Sequence, residues 1–375
     1  MCLLRRSMRL SFTFFVSILV IYQPTTLCDA EQSKLVKFGV IAPITGGNAS
    51  NGQDISRTVK LLEKRLNKSS RKYQYRFTIE DGRCGVGNGA ATAAYKFINI
   101  DQVKFLITGC SGETLKVGPI AERNKVVTIA VLSMHKDVKH LGDYIFRTYL
   151  DAEKGMKKIA DLIVKEGAEK VAVISEDVPF TVGNHELVSK FLGERVVFSD
   201  FFEADNTDLR TLILKARSYM PDAYYFGPAS PDTAIALVNQ ARQLGVTQPI
   251  YSFQMPDYPK FLEATGKNSN GIRYLVPPRI GSESPDFASF MEEFVKDYGE
   301  KPSLEFVVRT TYDAVNALVD GIESVGVNPT AVKDFLYHYR KKGALGVVEF
   351  DKNGDIKNLN FMVKYIKGGR TYWLQ

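Results

Sequence analysis

The strongest constraint on this chain is a succession of short apolar runs alternating with amphipathic stretches, repeated twice. KFGVIA (37–42), YRFTIED (75–81), KFLITG (104–109) and VVTIAV (126–131) are β-branched or aromatic runs. Helical patterns lie between them at 52–66, 88–99 and 113–123, the first with Ile55, Val59, Leu62 and Leu66 at helical spacing. After Phe146-Arg147-Thr148 the pattern restarts with KVAVIS (170–175), VVFSDFF (196–202), DAYYFG (222–227) and PIYSF (249–253). Strands that are apolar along nearly their whole length belong to parallel sheets with helices on both faces. The reading is an α/β fold of two similar lobes, each a parallel-type sheet flanked by helices.

The last third does not start a third lobe. Residues 285–298 and 303–325 are two amphipathic helices, the second with Val308, Tyr312, Val315, Val319 and Ile322 on its buried face. GALGVVEFDKNGDIKNLNFMVKYIKGG reads as a hairpin about the turn residues Asp351-Lys352-Asn353-Gly354. No low-complexity linker separates the two sets, so several short crossings should join the lobes. We expect one lobe from 31–148 plus 277–344 and the other from 149–276 plus 345–375.

The first thirty residues stand apart. Arg5, Arg6 and Arg9 precede an apolar run from Leu10 to Tyr22, and a small residue, Ala30, follows. The run is short for a bilayer span, and the order fits a secretory signal peptide cleaved after Ala30. A retained N-terminal anchor is the alternative. A lipoprotein anchor on Cys28 fits less well, because Leu27 stands where a small residue is needed. The leader carries three Arg and Asp29, so its loss lowers the formal charge from +7 to about +5. That charge is scattered. LNKSSRK and YRKKG are the densest clusters, and neither interleaves stacking aromatics, so no nucleic-acid partner is expected.

Of the four cysteines, Cys2 and Cys28 leave with the leader. Cys84 and Cys110 remain, each just past a strand, and in an oxidising compartment one disulfide between them is the simplest outcome.

Catalytic motifs are weighed and set aside. GVGNGA (85–90) follows a strand, but it lacks G-x-G-x-x-G spacing and no Gly-Lys-Ser/Thr follows. GCSG (109–112) misses the G-x-S-x-G elbow, and the four histidines, His135, His140, His185 and His338, support neither a triad nor a zinc pair. Asp351-x-Asn353-x-Asp355 fails as a calcium loop, with Ile356 and Met362 where Gly and Glu are needed. Neither an enzyme nor a cofactor or metal site is indicated. Ser111 is the best polar candidate. At a helix N-terminus, beside the amides of Gly112 and Glu113, it either holds an anionic oxygen or simply caps the helix.

Taken in order, these segments resemble the periplasmic branched-chain amino-acid binding proteins, the type I solute-binding components of ABC importers. The resemblance runs from about Lys37 to Met362. KFGVIAPITGGNASNGQD resembles the first strand and ligand loop; EDGRCGVGNGAATAAYKFI and FLITGCSG resemble the disulfide-bearing segments. YIFRTYLDAEKG resembles the first crossing, RTTYDAVNAL the long helix after the third, and GVVEFDKNGD the closing hairpin. The family closes two lobes, joined by a multi-crossing hinge, on one small ligand, without chemistry.

The resemblance implies a ligand carboxylate held by Ser111, with a second hydroxyl from VLSMH. There the chain has Ser133 and Met134 in place of a small residue followed by Thr. An aromatic cover falls at Phe180, and Thr45 and Tyr312 are weaker candidates. The chief departure follows PIYSF, where Gln254 replaces the acid that pairs with an amino-acid ammonium; Ala229 and Ser230 stand where another aromatic is common. A neutral amide cannot offset the desolvation of a buried ammonium. The expected ligand is thus a carboxylic acid without an α-ammonium, or an amide-like solute. The resemblance further implies a periplasmic monomer that delivers its ligand to a membrane permease. A sensory module reporting occupancy to a receptor or kinase is the alternative.

Overall fold

The computed structural model describes residues 34–204, 206–280 and 284–374. The expected leader and its cleavage point at Ala30 lie outside the described residues. The first lobe opens with β1 (Lys34–Ala42), α1 (Ala49–Lys68), β2 (Tyr73–Asp81), α2 (Gly89–Tyr95), β3 (Phe105–Cys110), α3 (Ser111–Arg123), β4 (Val127–Leu132) and β5 (Ile145–Arg147). The chain then crosses into α4 (Ala152–Lys165), β6 (Val171–Glu176), α5 (Pro179–Leu192), β7 (Val196–Phe202), α6 (Arg210–Arg217), β8 (Ala223–Gly227), α7 (Pro231–Gln243), β9 (Ile250–Phe253), α8 (Pro259–Thr265) and β10 (Ile272–Val276). It continues through α9 (Pro285–Tyr298), α10 (Glu305–Val325), α11 (Pro329–Tyr337), β11 (Arg340–Gly343), β12 (Gly346–Glu349), β13 (Met362–Lys367) and β14 (Arg370–Trp373).

The first sheet is five-stranded and parallel, in the order β2-β1-β3-β4-β5. The second has seven strands, β14-β13-β10-β9-β8-β6-β7, parallel except where β13 and β14 join antiparallel. Both central layers are buried on two faces, which is why their strands read as continuous apolar runs. One face of the first sheet packs on α1 and α10; the other packs on α2, the helical turn after it and α3 through Ala90, Phe97, Val117 and Ile120. Each such fully buried aliphatic or aromatic side chain contributes roughly 1.5–3 kcal/mol.

The helices start and stop where local chemistry directs. Ser284 accepts the Phe287 N–H at the head of α9, Pro285 occupies its first turn, and Gly299 ends it in the left-handed conformation. In α7 the same device recurs, with Ser230 accepting from Thr233 N–H ahead of Pro231.

The hairpin expected about Asp351–Gly354 is shorter than the sequence suggests. The turn forms, with a Gly354 N–H to Asp351 O bond of 3.0 Å, but its legs pair briefly, through the Phe350–Ile356 bridge and the Asp351 N–H to Asp355 O and Lys357 N–H to Glu349 O bonds, both 2.8 Å. Strand β12 pairs with β11, whereas β13 joins the second sheet beside β10. Between them Asp355 forms a parallel bridge with Arg147. The Arg147 guanidinium, fully buried, donates to both oxygens of Asp355 at 2.7 and 2.6 Å and to His135 O at 3.1 Å. Thus the segments that leave the first sheet at Arg147 and again after Asp355 are stapled side by side. The boundary drawn from sequence at 344/345 falls just ahead of β12, which still pairs with 340–343.

Candidate functional site

Parallel strands aim their C-terminal ends and following loops at one edge of each sheet, where ligands of open α/β sheets bind. Here those edges face each other across a cavity of about 1010 Å³, counted to its open mouth. It is lined from one lobe by Thr45, Asn48, Asn51, Cys110, Ser111 and Leu132, and from the other by Glu176, Phe180, Ala229, Phe253, Gln254 and Tyr258.

The first-lobe wall is a set of loops bonded to one another. Cys84 and Cys110 form a disulfide, with Cα atoms 4.9 Å apart, as the cysteine count leads one to expect. The glycines of RCGVG and GCSG now have a reason. Gly85 takes φ +85°, a Cβ on it would lie 2.3 Å from the Gly112 carbonyl carbon, and a Cβ on Gly112 would lie 2.3 Å from Cys84 O. Two backbones in such contact tolerate no side chain. GVGNGA is therefore a disulfide-bearing turn, not a phosphate cradle.

Glu113 ties both loops. Its Oε2 accepts the Cys110 N–H at 2.8 Å and its Oε1 the Cys84 N–H at 3.0 Å. Burial pushes its carboxyl up to about 8, against the pull of those N–H donors. Asp81, at the end of β2, accepts the Thr45 hydroxyl and the N–H groups of Ile44 (3.0 Å) and Arg83 (2.9 Å). Burial alone would raise the Asp81 carboxyl, but these donors outweigh it and hold it below the usual range.

Of the residues read from sequence, Ser111, Phe180, Gln254 and Thr45 meet at this cavity. Ser111 begins α3, with its side chain buried and the helix N-terminus behind it. The Thr45 hydroxyl is spent on Asp81. Ser133 is fully buried behind the wall and donates to Ser111 Oγ at 3.3 Å, so it stands one layer back from the cavity. Tyr312 is not at the cavity. It packs 5.1 Å from Phe287 and 5.0 Å from Phe290 in the core under α9 and α10, and burial pushes its phenol up to about 12. The same periodicity that placed Val308, Val315 and Val319 inward carries Tyr312 with them.

The second-lobe wall is less committed. The ring of Phe180 lies 5.4 Å from that of Phe253, edge to face, forming an aromatic side to the cavity. Gln254 follows β9 with φ 32°, a strained backbone for a non-glycine residue. Its Oε1 accepts from the buried Tyr149 hydroxyl at 2.8 Å, and its Nε2 is buried with no partner among the described residues. Burial raises the Tyr149 phenol well above its ordinary value, so it stays a donor.

Glu176, Tyr149, Asn51 and Tyr258 escape the sequence reading. Glu176 is the last residue of β6 and only 2% exposed; its Oε2 accepts the Ala229 N–H and the Thr233 hydroxyl, both at 2.7 Å. A carboxyl ending a parallel strand was the available signal. Across the cleft, Asn48 Nδ2 donates to Ala229 O at 3.2 Å, and Tyr258 donates to Asn51 Oδ1 at 3.0 Å. Among the described residues, no group of three or more His, Cys, Asp or Glu side chains is placed to hold a metal ion.

Two parallel-sheet lobes, crossed by neighbouring segments and facing each other over a cavity that mixes apolar and polar side chains, have the architecture of a two-lobed solute receptor. The sequence profile of the Periplasmic binding protein family matches residues 35–369, and the chain belongs to that family. Its relatives are binding proteins, not enzymes. The leucine-, isoleucine-, valine-, threonine-, and alanine-binding protein of Pseudomonas aeruginosa is 27% identical over 338 residues, 88% of this chain and 89% of that one. Among solved structures, a leucine binding protein of Thermotoga maritima superposes with TM-score 0.78 at 25% identity, covering 91% of this chain and 98% of that one. A solute binding protein of an ABC transporter from R. palustris, in complex with benzoate, gives TM-score 0.75 at 18% identity over 91% and 95% of the two chains; it speaks for the fold alone.

Proposed function

We propose that this protein captures a small organic solute, amino-acid-like or bearing a carboxylate or amide, and delivers it to the permease of an ABC importer. The observation that carries this reading is the polar pairing across the cavity. Ser111 stands at the N-terminus of α3 on one wall, and the unpartnered Gln254 Nε2 stands on the other. A helix N-terminus and a hydroxyl favour an anionic oxygen, and a buried amide donor without a partner calls for a ligand acceptor. Phe180, Phe253, Leu132 and Met255 supply the apolar surface that an organic side chain would cover.

Asn48 and Asn51 bond across the cleft to the other lobe, as closure over a ligand requires. Relatives named for binding leucine lend weight to a carboxylate-bearing ligand. In this reading the leader exports the chain to the periplasm and the receptor acts as a monomer. Micromolar affinity, about −8 kcal/mol, would suit such a carrier.

The test is a thermal-shift screen of refolded, ligand-free protein against branched and aromatic amino acids, their deaminated acids, and small amides or ureas. A ligand of about 10 μM affinity at 1 mM stabilises by about 2.7 kcal/mol. Ser111→Ala should weaken the best ligand at least tenfold, by titration calorimetry, with the fold intact. Unchanged affinity would remove Ser111 from the site.

A further inference from the structure

Ser111 and Gln254 occupy the buried end of the cavity; an arginine stands at its mouth. We propose that Arg83 binds a second anionic group on the solute, so that the receptor selects diacids long enough to reach the mouth over monoacids of equal length. This deepens the solute-binding reading above and rests on it.

Exposure orders the residues along the cavity. Ser111, Tyr149 and Gln254 are at most 2% exposed and form the floor. Leu132 and Phe180 are half-buried and stand above it, and the exposed Thr45, Gly46, Arg83, Val86 and Ala204 form the mouth. A solute whose carboxylate is held at Ser111 therefore has its other end directed outward, past the apolar walls, to that mouth. Among the described residues lining the cavity, Arg83 alone is a lysine or arginine.

The backbone of Arg83 is fixed and its side chain is left over. Asp81 accepts the Arg83 N–H at 2.9 Å, Cys84 after it is tied to Cys110, and the Lys116 ammonium donates to Gly85 O and Gly87 O. Asp81, the nearest acid along the chain, spends its two oxygens on this N–H, on that of Ile44 and on the Thr45 hydroxyl. The Arg83 guanidinium has no hydrogen bond or ion pair among the described residues. Its backbone takes φ +48°, a left-handed conformation that glycine adopts freely and arginine does not. A strained residue at a ligand cavity points to a use for its side chain beyond the needs of the turn. The planar fork of guanidinium donors matches a carboxylate.

The experiment uses calorimetric titration of the intact, refolded, ligand-free protein with matched pairs: pentanoate and glutarate, hexanoate and adipate, heptanoate and heptanedioate. At low ionic strength at least one diacid should bind about fivefold or more tighter than its monoacid. The preference should shrink in about 1 M salt, which screens an exposed ion pair. Arg83→Asn removes the charge but keeps a residue type that accepts the left-handed backbone, so the loop should hold. It should cut the preference below about twofold, chiefly by weakening the diacid. Arg83→Lys, which keeps the charge without the fork, should retain part of it.

The inference is overturned if no diacid outbinds its monoacid in the wild type, a result that needs no variant to fold. It is also overturned if Arg83→Asn keeps the preference, or if that variant weakens both members of each pair equally, which would assign Arg83 to lobe closure. Ser111→Ala, titrated alongside, separates the two readings. If it weakens monoacids while the wild type ignores the second carboxylate, the solute-binding reading stands and the Arg83 assignment fails. If it leaves every affinity unchanged, the Ser111 site is wrong and the Arg83 assignment falls with it.

Discussion

The two walls of the cleft differ in how far their polar groups are committed. On the first-lobe wall the groups answer one another. Thr45 bonds Asp81, Ser133 bonds Ser111, Glu113 takes the N–H groups of Cys84 and Cys110, and a disulfide closes the set. On the second-lobe wall Gln254 holds a strained backbone and an unpartnered Nε2, and Glu176 brings a buried carboxylate to the cavity. The first wall is a socket whose ordering cost is met during folding. The second leaves the Gln254 Nε2 without a partner among the described residues, so selectivity deep in the cavity should reside there.

Breaking the socket should have the largest effect. Replacing both Cys84 and Cys110 with serine removes a cross-link with a sequence separation of 26. The chain-entropy model puts the loss at about 3.5 kcal/mol. Chemical denaturation should show it, and ligand affinity should fall with it, because Ser111 follows Cys110 directly. If the double variant keeps full affinity, the first wall does not depend on its covalent tie.

Glu113→Gln comes next. An amide can accept from only one of the two N–H groups, so the change should cost about 1–3 kcal/mol. It should also alter the pH profile. The folded carboxyl is raised to about 8, from an ordinary value of 4.5, so the folded state binds the proton more tightly than the unfolded chain. Its stabilising contribution is complete below about 4.5 and is lost as pH rises through about 8. Wild-type stability should therefore decline over that window relative to Glu113→Gln. Parallel denaturation curves at pH 5 and 8.5 would refute this.

Tyr149→Phe tests the second wall. Loss of the hydroxyl frees Gln254 Oε1 and should cost about 0.5–1.5 kcal/mol of stability. More tellingly, it lets the amide turn, so preference between acceptor-bearing ligands should blur while the overall melt changes little. A variant with unchanged selectivity would mean that Tyr149 does not set the orientation of Gln254.

Much of this arrangement was legible in the sequence, for a physical reason that also explains what was not. The C-terminal ends of eight strands are legible to within one residue, because a buried parallel strand writes its apolar character into adjacent residues; the starts of β1 and β2 lie three and two residues earlier than the sequence suggests. Ser111 and the cysteine pair were legible because a glycine-bearing turn between a strand and a helix is a local event. Strand β10 and the pairing of β12 with β11 were not, since partner choice depends on residues far apart in the chain.

Tyr312 was misplaced among the site candidates although its own helix periodicity pointed it inward. Glu176 escapes because the apolar run KVAVIS ends at Ser175, one residue short of the end of β6. Gln254 is legible as a cavity residue because it directly follows the apolar run of β9, whereas its bond to Tyr149 joins residues far apart in the chain.

The smallest expected effect concerns how the two walls meet. Asn48→Ala removes the bond to Ala229 O, and Tyr258→Phe removes the bond to Asn51. Each is a single hydrogen bond made between lobes, about 0.5–1.5 kcal/mol, so each should weaken ligand about two- to tenfold. The stability of either lobe should barely move, since neither bond lies within one. The loss should appear in the off-rate, because these bonds form after the ligand has entered and must break before it leaves. Stopped-flow fluorescence of the two single variants and the double variant would resolve this. A double variant that releases ligand no faster than either single variant would show that the two bonds do not act as independent latches.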